Sequence, residues 1–380
     1  MSAPSLAEIL REWGRIGCIG FGGPPAHIAL LRDLCVTRRG WLSGHQFEDA
    51  IAATNLLPGP GSTQLAIFCA WRLRGARGAL VGGAGFVLPG LLMIIALSVL
   101  FLASAPPRWV LGAGAGAGAA VAAVAVRAGV GLLPSSWDKA QATHPLRWAA
   151  YVAAGAAATA LIGAWLVLVL LACGAIELLL RRPPSAESAQ GIALLPLAAA
   201  AGGIGALAWV AFKVGALSYG GGFVIVPLMQ ADAVSHYHWM TSSQFLNAVA
   251  LGQVTPGPVV HTVAAVGYAA AGIGGALLAA AVAFAPSFSF ILVGAERFDR
   301  LRSDRRARAF LDGAGPAAIG AILGSAIPLA LALQEPWQLA VLGAAAVALL
   351  WLRVGVVATL LAAAAAGTAI ALAGGPVPGG

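Results

Sequence analysis

Charge is what this chain has least of. Only 9% of its 380 residues are Asp, Glu, Lys or Arg and 7% are aromatic, against 60% hydrophobic. So few charges cannot clothe a soluble globular surface. The four cysteines, Cys18, Cys35, Cys69 and Cys173, have neither metal-type spacing nor a pairing pattern. They read as small apolar residues, and no metal or other cofactor is expected. Glu8, Arg11, Glu12 and Arg15 interrupt the start of the chain, so a cleavable signal is not expected. No phosphate-binding Gly-x-x-x-x-Gly-Lys-Ser/Thr loop is present, which excludes an ATP-driven pump within this sequence. There is no His-Glu-x-x-His, no Gly-x-Gly-Asp and no Ser–His pair at helical spacing, so the chain is not expected to be an enzyme. A matching pair of intramembrane carboxylates is missing as well, which argues against a carrier of metal cations.

Long apolar runs are what the chain has in their place. Residues 78–103, 109–131, 315–333 and 354–373 are each near the ~20 residues that span a bilayer. The mean hydropathy of +0.88 agrees with an all-α, polytopic membrane protein. Its 50 glycines and its alanine runs suit helices that touch closely. The formal charge of +8 comes from arginines gathered at segment ends, where they orient the chain in the bilayer. Nucleic acid is not an expected partner; the lipid bilayer is.

One pattern occurs twice, 198 residues apart. Gly22-Gly23, Trp41, Gln46-Phe47 and Pro58-Gly59-Pro60 return as Gly220-Gly221, Trp239, Gln244-Phe245 and Pro256-Gly257-Pro258. The chain therefore reads as a first repeat at 1–182, a polar linker at 183–191 and a second repeat at 192–380. The arginines set the orientation of the two. Arg32, Arg38 and Arg39 precede the first Pro-Gly-Pro segment and Arg72, Arg74 and Arg77 follow it, while 230–243 and 268–275 contain no Lys or Arg. The next loops reverse the pattern: 104–108 has one arginine and 295–308 has six. Since cytoplasmic loops collect Lys and Arg, the repeats are expected to be inverted, that is, antiparallel. Basic residues on both sides of 48–71 and on neither side of 244–268 fit a helical hairpin that dips in and returns, with Pro-Gly-Pro at its apex; broken full-length helices are the alternative. Residues 6–19 are amphipathic and suit the membrane surface.

The broken or re-entrant helices should meet near the midplane, where irregular backbone is tolerated only around a cavity or inside protein. Four stretches qualify: Gly20 to Gly23, Asn55 to Gln64, Ser218 to Gly222, and Gln253 to Thr262. Each break frees helix N-termini, which attract anions. Ser62, Thr63 and Gln64 supply polar side chains in the first half, and His261 and Thr262 in the second. Lys213, the one lysine inside an apolar stretch, and Arg15, its equivalent, place a cation before each glycine-rich break. Two cations and several helix N-termini describe a site for an oxyanion. His261, Glu177 and Asp312 are candidates for moving protons. Trp41 and Trp239 read as interfacial anchors, Gln46 and Gln244 as local caps or braces.

At these residues the chain resembles a known family. Phe21-Gly22-Gly23-Pro24, Trp41, Leu57-Pro58-Gly59-Pro60 and Pro89, with Tyr219-Gly220-Gly221-Gly222, Trp239 and Thr255-Pro256-Gly257-Pro258, look like the chromate ion transporters in their long, two-domain form. The resemblance runs from about residue 8 to 375. It implies a multi-pass protein of the bacterial or archaeal inner membrane. Such a protein is a secondary transporter that exports chromate, confers chromate resistance and draws on the proton-motive force. Chromate or a related oxyanion and protons are then the partners, with sulfate the rival substrate and a homodimer left open. The Gly-Gly and Pro-Gly-Pro residues inherit the family's functional role. Gly20 stands where a serine often precedes the aromatic-Gly-Gly, and Asn55 where glutamine is common, whereas Ser218 and Gln253 keep the family's types. Those two departures bear on selectivity.

Overall fold

The computed structural model describes residues 4–54, 57–103, 105–141, 144–161, 166–181, 203–218, 223–297 and 304–378. The linker expected at 183–191 lies outside them. Within the described residues there are fourteen α-helices and no strands, in two series of seven. The first series is α1 (Leu6–Ile19), α2 (Pro24–Arg32), α3 (Gly44–Thr54), α4 (Gly61–Phe101), α5 (Arg108–Ala140), α6 (Pro145–Leu161) and α7 (Leu166–Leu180). The second is α8 (Gly203–Leu217), α9 (Ile225–Gln230), α10 (Ser242–Val254), α11 (Thr262–Gly294), α12 (Arg305–Leu331), α13 (Pro336–Ala346) and α14 (Val356–Leu372). Four stretches are long and apolar enough to cross a membrane: Gly61–Phe101, Arg108–Asp138, Val259–Gly294 and Arg305–Leu331.

The two series agree in local detail. α2 and α9 each run on into a wider π-helical turn, Asp33–Arg38 and Ala231–His236. Each of the helices that follow starts with a reciprocal cap. Gln46 N donates to Ser43 Oγ while Ser43 N donates to Gln46 Oε1, and Thr241 and Gln244 repeat the exchange. This satisfies donors that a helix start leaves free. Gln46 and Gln244 are therefore local caps, as their repetition led one to expect.

Straight, α4 would be about 61 Å long, twice the hydrocarbon thickness. It is not straight. Arg74 (φ −144°, ψ 25°) and Gly75 (φ 58°, ψ −149°) leave helical geometry, and Ala271 (φ −154°, ψ 32°) and Gly272 (φ 62°, ψ −154°) do the same in α11. Only glycine takes that second conformation without strain. The chain reverses there: a Cβ on Gly78 would strike the Ala70 carbonyl, and one on Gly267 would lie 2.5 Å from the Gly275 carbonyl oxygen. Residues eight apart on a straight helix would be ~12 Å apart. α3 with Gly61–Arg74, and α10 with Val259–Ala271, are thus helical hairpins whose arms are each shorter than the ~30 Å hydrocarbon layer. The hairpin reading of the Pro-Gly-Pro segments matches this geometry better than two full crossings.

Small residues decide how the longer helices pair. α1 lies along the outgoing arm of α4, where a Cβ on Gly17 would come 2.7 Å from the Phe86 carbonyl oxygen. Gly215 brings α8 closer still to Ala283 of α11. α1 is therefore packed in the bundle through Ile9, Trp13 and Ile16, and does not lie only on a surface. α5 runs through the middle, buried almost throughout from Val110 to Ala125. Its Gly112 and Gly116 face Gly367 and Ala363 of α14, and its Gly114 and Gly118 face Asn247 and Leu246 of α10. On the other side, Gly320 and Gly324 of α12 face Val152 and Ala156 of α6, and Gly313 faces Cys173 of α7. α5 and α12 thus each pack on the closing helical pair of the other series, so the two are interlocked.

Candidate functional site

The two Pro-Gly-Pro apexes approach the centre of the molecule from opposite series. Gly257 N donates to the Gly20 carbonyl oxygen at 2.9 Å, tying the second apex to the first glycine-rich break. The same oxygen lies 2.9 Å from His27 Nε2, and His27 Nδ1 is 3.1 Å from Ser62 Oγ. A carbonyl can only accept, so Nε2 carries a proton; a neutral ring then accepts from the Ser62 hydroxyl at Nδ1. On the other side, Gly59 is packed near the Gly215 carbonyl oxygen and Ser287 Oγ, both of the second series. Gln64 Nε2 donates to Pro58 O at 2.7 Å and braces the first apex from within. Both apexes need glycine at the turn, since φ is +122° at Gly59 and +95° at Gly257.

Polar atoms left without hydrogen-bond partners gather around these apexes. Among the described residues they include Thr63 Oγ1, Gln64 Oε1, Ser218 Oγ, Gln253 Nε2 and Ser287 Oγ, all buried. His261 is fully buried and edge-on to Phe284, with neither ring nitrogen in a well-formed hydrogen bond. Buried polar groups are seldom left so, and a cluster of them marks a place where a ligand or water completes the bonding.

A cavity of about 1330 Å³ leads to this centre. At its inner end it touches Gly22, Gly23, Gly59, Ser62, Phe223 and Gln253. Its walls carry Arg127, Arg147, Arg181, Arg308 and Arg353 against Glu48, Glu177 and Asp312. Five cations against three carboxylates make a field that draws anions in. Glu177, 2% exposed, accepts from Arg147 Nη1 (3.2 Å), Arg181 Nε (2.6 Å) and Tyr151 Oη (3.0 Å), and Arg181 reaches on to Asp312 at 2.8 Å. This network fastens α6 and α7 to α12. Arg127 is half-buried, and among the described residues it has neither an ion pair nor a hydrogen bond.

Of the residues expected at the site, Gly22, Gly23, Gly59, Ser62 and Gln253 line the cavity. Pro60, Thr63, Gln64, Ser218, Pro256, Gly257, Pro258, His261 and Thr262 are buried around it, Thr262 bonded to its own turn at Val259 O. Phe21 and Pro58 are exposed. Asn55, Tyr219, Gly220, Gly221 and Gly222 lie outside the described residues. The two expected cations are elsewhere. Lys213 Nζ is 2.5 Å from Asp232 Oδ2 and lies over Trp209, and Arg15 is exposed on α1; neither lines the cavity. Trp41 stacks on Trp13 and Trp239 on Tyr237, so both rings pack within their own series. Reading the sequence missed Arg127, although it interrupts the apolar run 109–131. It also missed His27, four residues beyond Gly23.

Fold and site together define an all-α membrane protein in which a basic cavity ends at paired helix breaks. The chain belongs to the Chromate transporter family, which it matches over residues 7–178 and 205–368. It is 33% identical to a chromate transport protein of Cupriavidus metallidurans, over 86% of this chain and 83% of that one. A chromate transport protein of Pseudomonas aeruginosa is 30% identical over 96% of this chain and 92% of its own. A probable chromate transport protein of Synechococcus elongatus is also 30% identical, over 86% and 85%. No solved structure matches.

Proposed function

We propose that this protein is a secondary transporter that exports chromate across the bacterial inner membrane, coupled to the proton-motive force, and so confers resistance. The observation that carries the reading is the arginine-walled cavity ending at the duplicated breaks. Orphaned donors there suit an oxyanion, and the walls leave a positive excess. Two family matches in one chain, and two equivalent series of helices, favour a first repeat at 1–182 and a second at 192–380. The arginine pattern favours inverted repeats. With 72–77, 181 and 305–308 on the cytoplasmic side, the cavity opens inward and the molecule is in an inward-facing state. Alternating access would then require the apexes to open on the far side. Glu177 and Asp312, the two carboxylates proposed for proton movement, stand with Glu48 on the cavity wall, whereas His261 is sealed behind it.

Labelled chromate flux in proteoliposomes, with and without a pH gradient, tests this. Gradient-dependent chromate movement supports the coupled exporter. Flux that ignores the gradient removes the coupling. Sulfate moving while chromate does not would make the protein a carrier of another tetrahedral oxyanion.

A further inference from the structure

We infer that Arg127 is the charge anchor that makes the cavity select doubly charged oxyanions; this rests on the carrier reading above. The face that α5 turns to the cavity includes Val124, Arg127, Ala128, Gly131 and Leu132, so Arg127 is a charge set among apolar and small residues. Its situation differs from that of Arg147 and Arg181, which are neutralised by Glu177 and Asp312. A cation in a membrane-spanning helix with no partner is costly unless water or a ligand answers it. The guanidinium lies over Gly131, with Nη1 3.5 Å from where a Cβ would be. A larger residue at 131 would fill that space; glycine leaves the planar fork free to meet two oxygens of one anion.

The anchor is not duplicated. Arg108 aligns with Arg305 and Pro89 with Pro286, which pairs Arg127 with Gly324. A Cβ at 324 would strike the Ala156 backbone carbonyl oxygen, so that position is closed to any side chain. The two sets of breaks therefore supply neutral donors in near-symmetry, and at this pair of equivalent positions only the first series carries a charge. Gln253 Nε2, buried and unpaired on the same cavity, is a donor for a further oxygen of the anion.

The full chain and its Arg127→Gln and Arg127→Lys variants would be purified and titrated with sulfate, a dianion that neither protonates near neutral pH nor oxidises thiols. Exchange of labelled sulfate in proteoliposomes would be competed with chromate and with perchlorate, a tetrahedral monoanion. Arg127→Gln should lower sulfate affinity by about tenfold or more and leave perchlorate competition unchanged, with Arg127→Lys between. Thermal unfolding of both variants should match the parent, because Arg127 makes no bond among the described residues. A folded Arg127→Gln variant with parental sulfate affinity would overturn the inference while the carrier reading stands. If the parent chain neither binds nor exchanges dianions, both fall together.

Discussion

At the scale of single residues, ionisable groups in this protein divide by whether the fold answers them. Lys213 invites a ligand role from its setting in an apolar stretch, yet Asp232 already neutralises it, at side-chain exposures of 20% and 11%. The pair ties α8 to the π-helical turn behind α9. Lys213→Met and Asp232→Leu should each destabilise the protein by about 1–3 kcal/mol, because each leaves the opposite charge buried and alone. The double variant should recover part of that loss, which thermal unfolding in detergent would measure. Strict additivity of the two losses would show that the pair does not form. Asp232 lies nineteen residues from Lys213 and on another element, so no local pattern announces it. Arg127 stands alone in an apolar run and so left a signal that could have been read; what the sequence could not convey is that nothing among the described residues pairs with it.

At the scale of helices, backbone contact through glycine does what hydrophobic burial does in soluble proteins, since lipid is as apolar as leucine. Gly155 of α6 shows the consequence: a Cβ there would sit 2.7 Å from the Ala317 carbonyl carbon of α12. Gly343 of α13 is also helical, and its Cβ would meet nothing within 4 Å. Gly155→Val should therefore unfold or mis-assemble the protein, and Gly343→Val should leave its stability within about 0.5 kcal/mol of the parent, as thermal unfolding would read it. Equal effects of the two would deny that these contacts set the packing. The turn at Gly75 and Gly272 belongs to this scale too. At Gly272 hydropathy runs straight through it, so α11 looks like a single span by composition, whereas Arg72, Arg74 and Arg77 mark the break in α4; positive φ at a repeated glycine splits each into a hairpin arm and a crossing.

At the scale of the whole molecule, each long central helix is clasped by the closing pair of the other series, so neither series would keep its core alone. The proposed inversion of the two makes a direct prediction. Ala76→Cys and Ile273→Cys are equivalent positions just past the two reversals, and both are exposed. A membrane-impermeant thiol reagent should reach the first from the cytoplasmic side and the second from the outside. The parent must be rendered silent by replacing Cys18, its one exposed cysteine among the described residues. Labelling of both from one side would end the antiparallel arrangement.

The amino-acid sequence by itself determined the membrane class, the duplication, the hairpin apexes and most of the breaks. These depend on composition, on spacing and on residues whose backbone preferences are local, such as Pro58-Gly59-Pro60 and Pro256-Gly257-Pro258. Tertiary structure alone decided which helices exchange partners, which cations are spent on carboxylates, and that Arg127 faces the cavity unpaired among the described residues. Pairing between apolar helices depends on where small residues meet across distances of up to 255 residues, as at Gly112 and Gly367. Charge neutralisation likewise depends on elements that only the fold brings together, as Arg181 and Asp312 are.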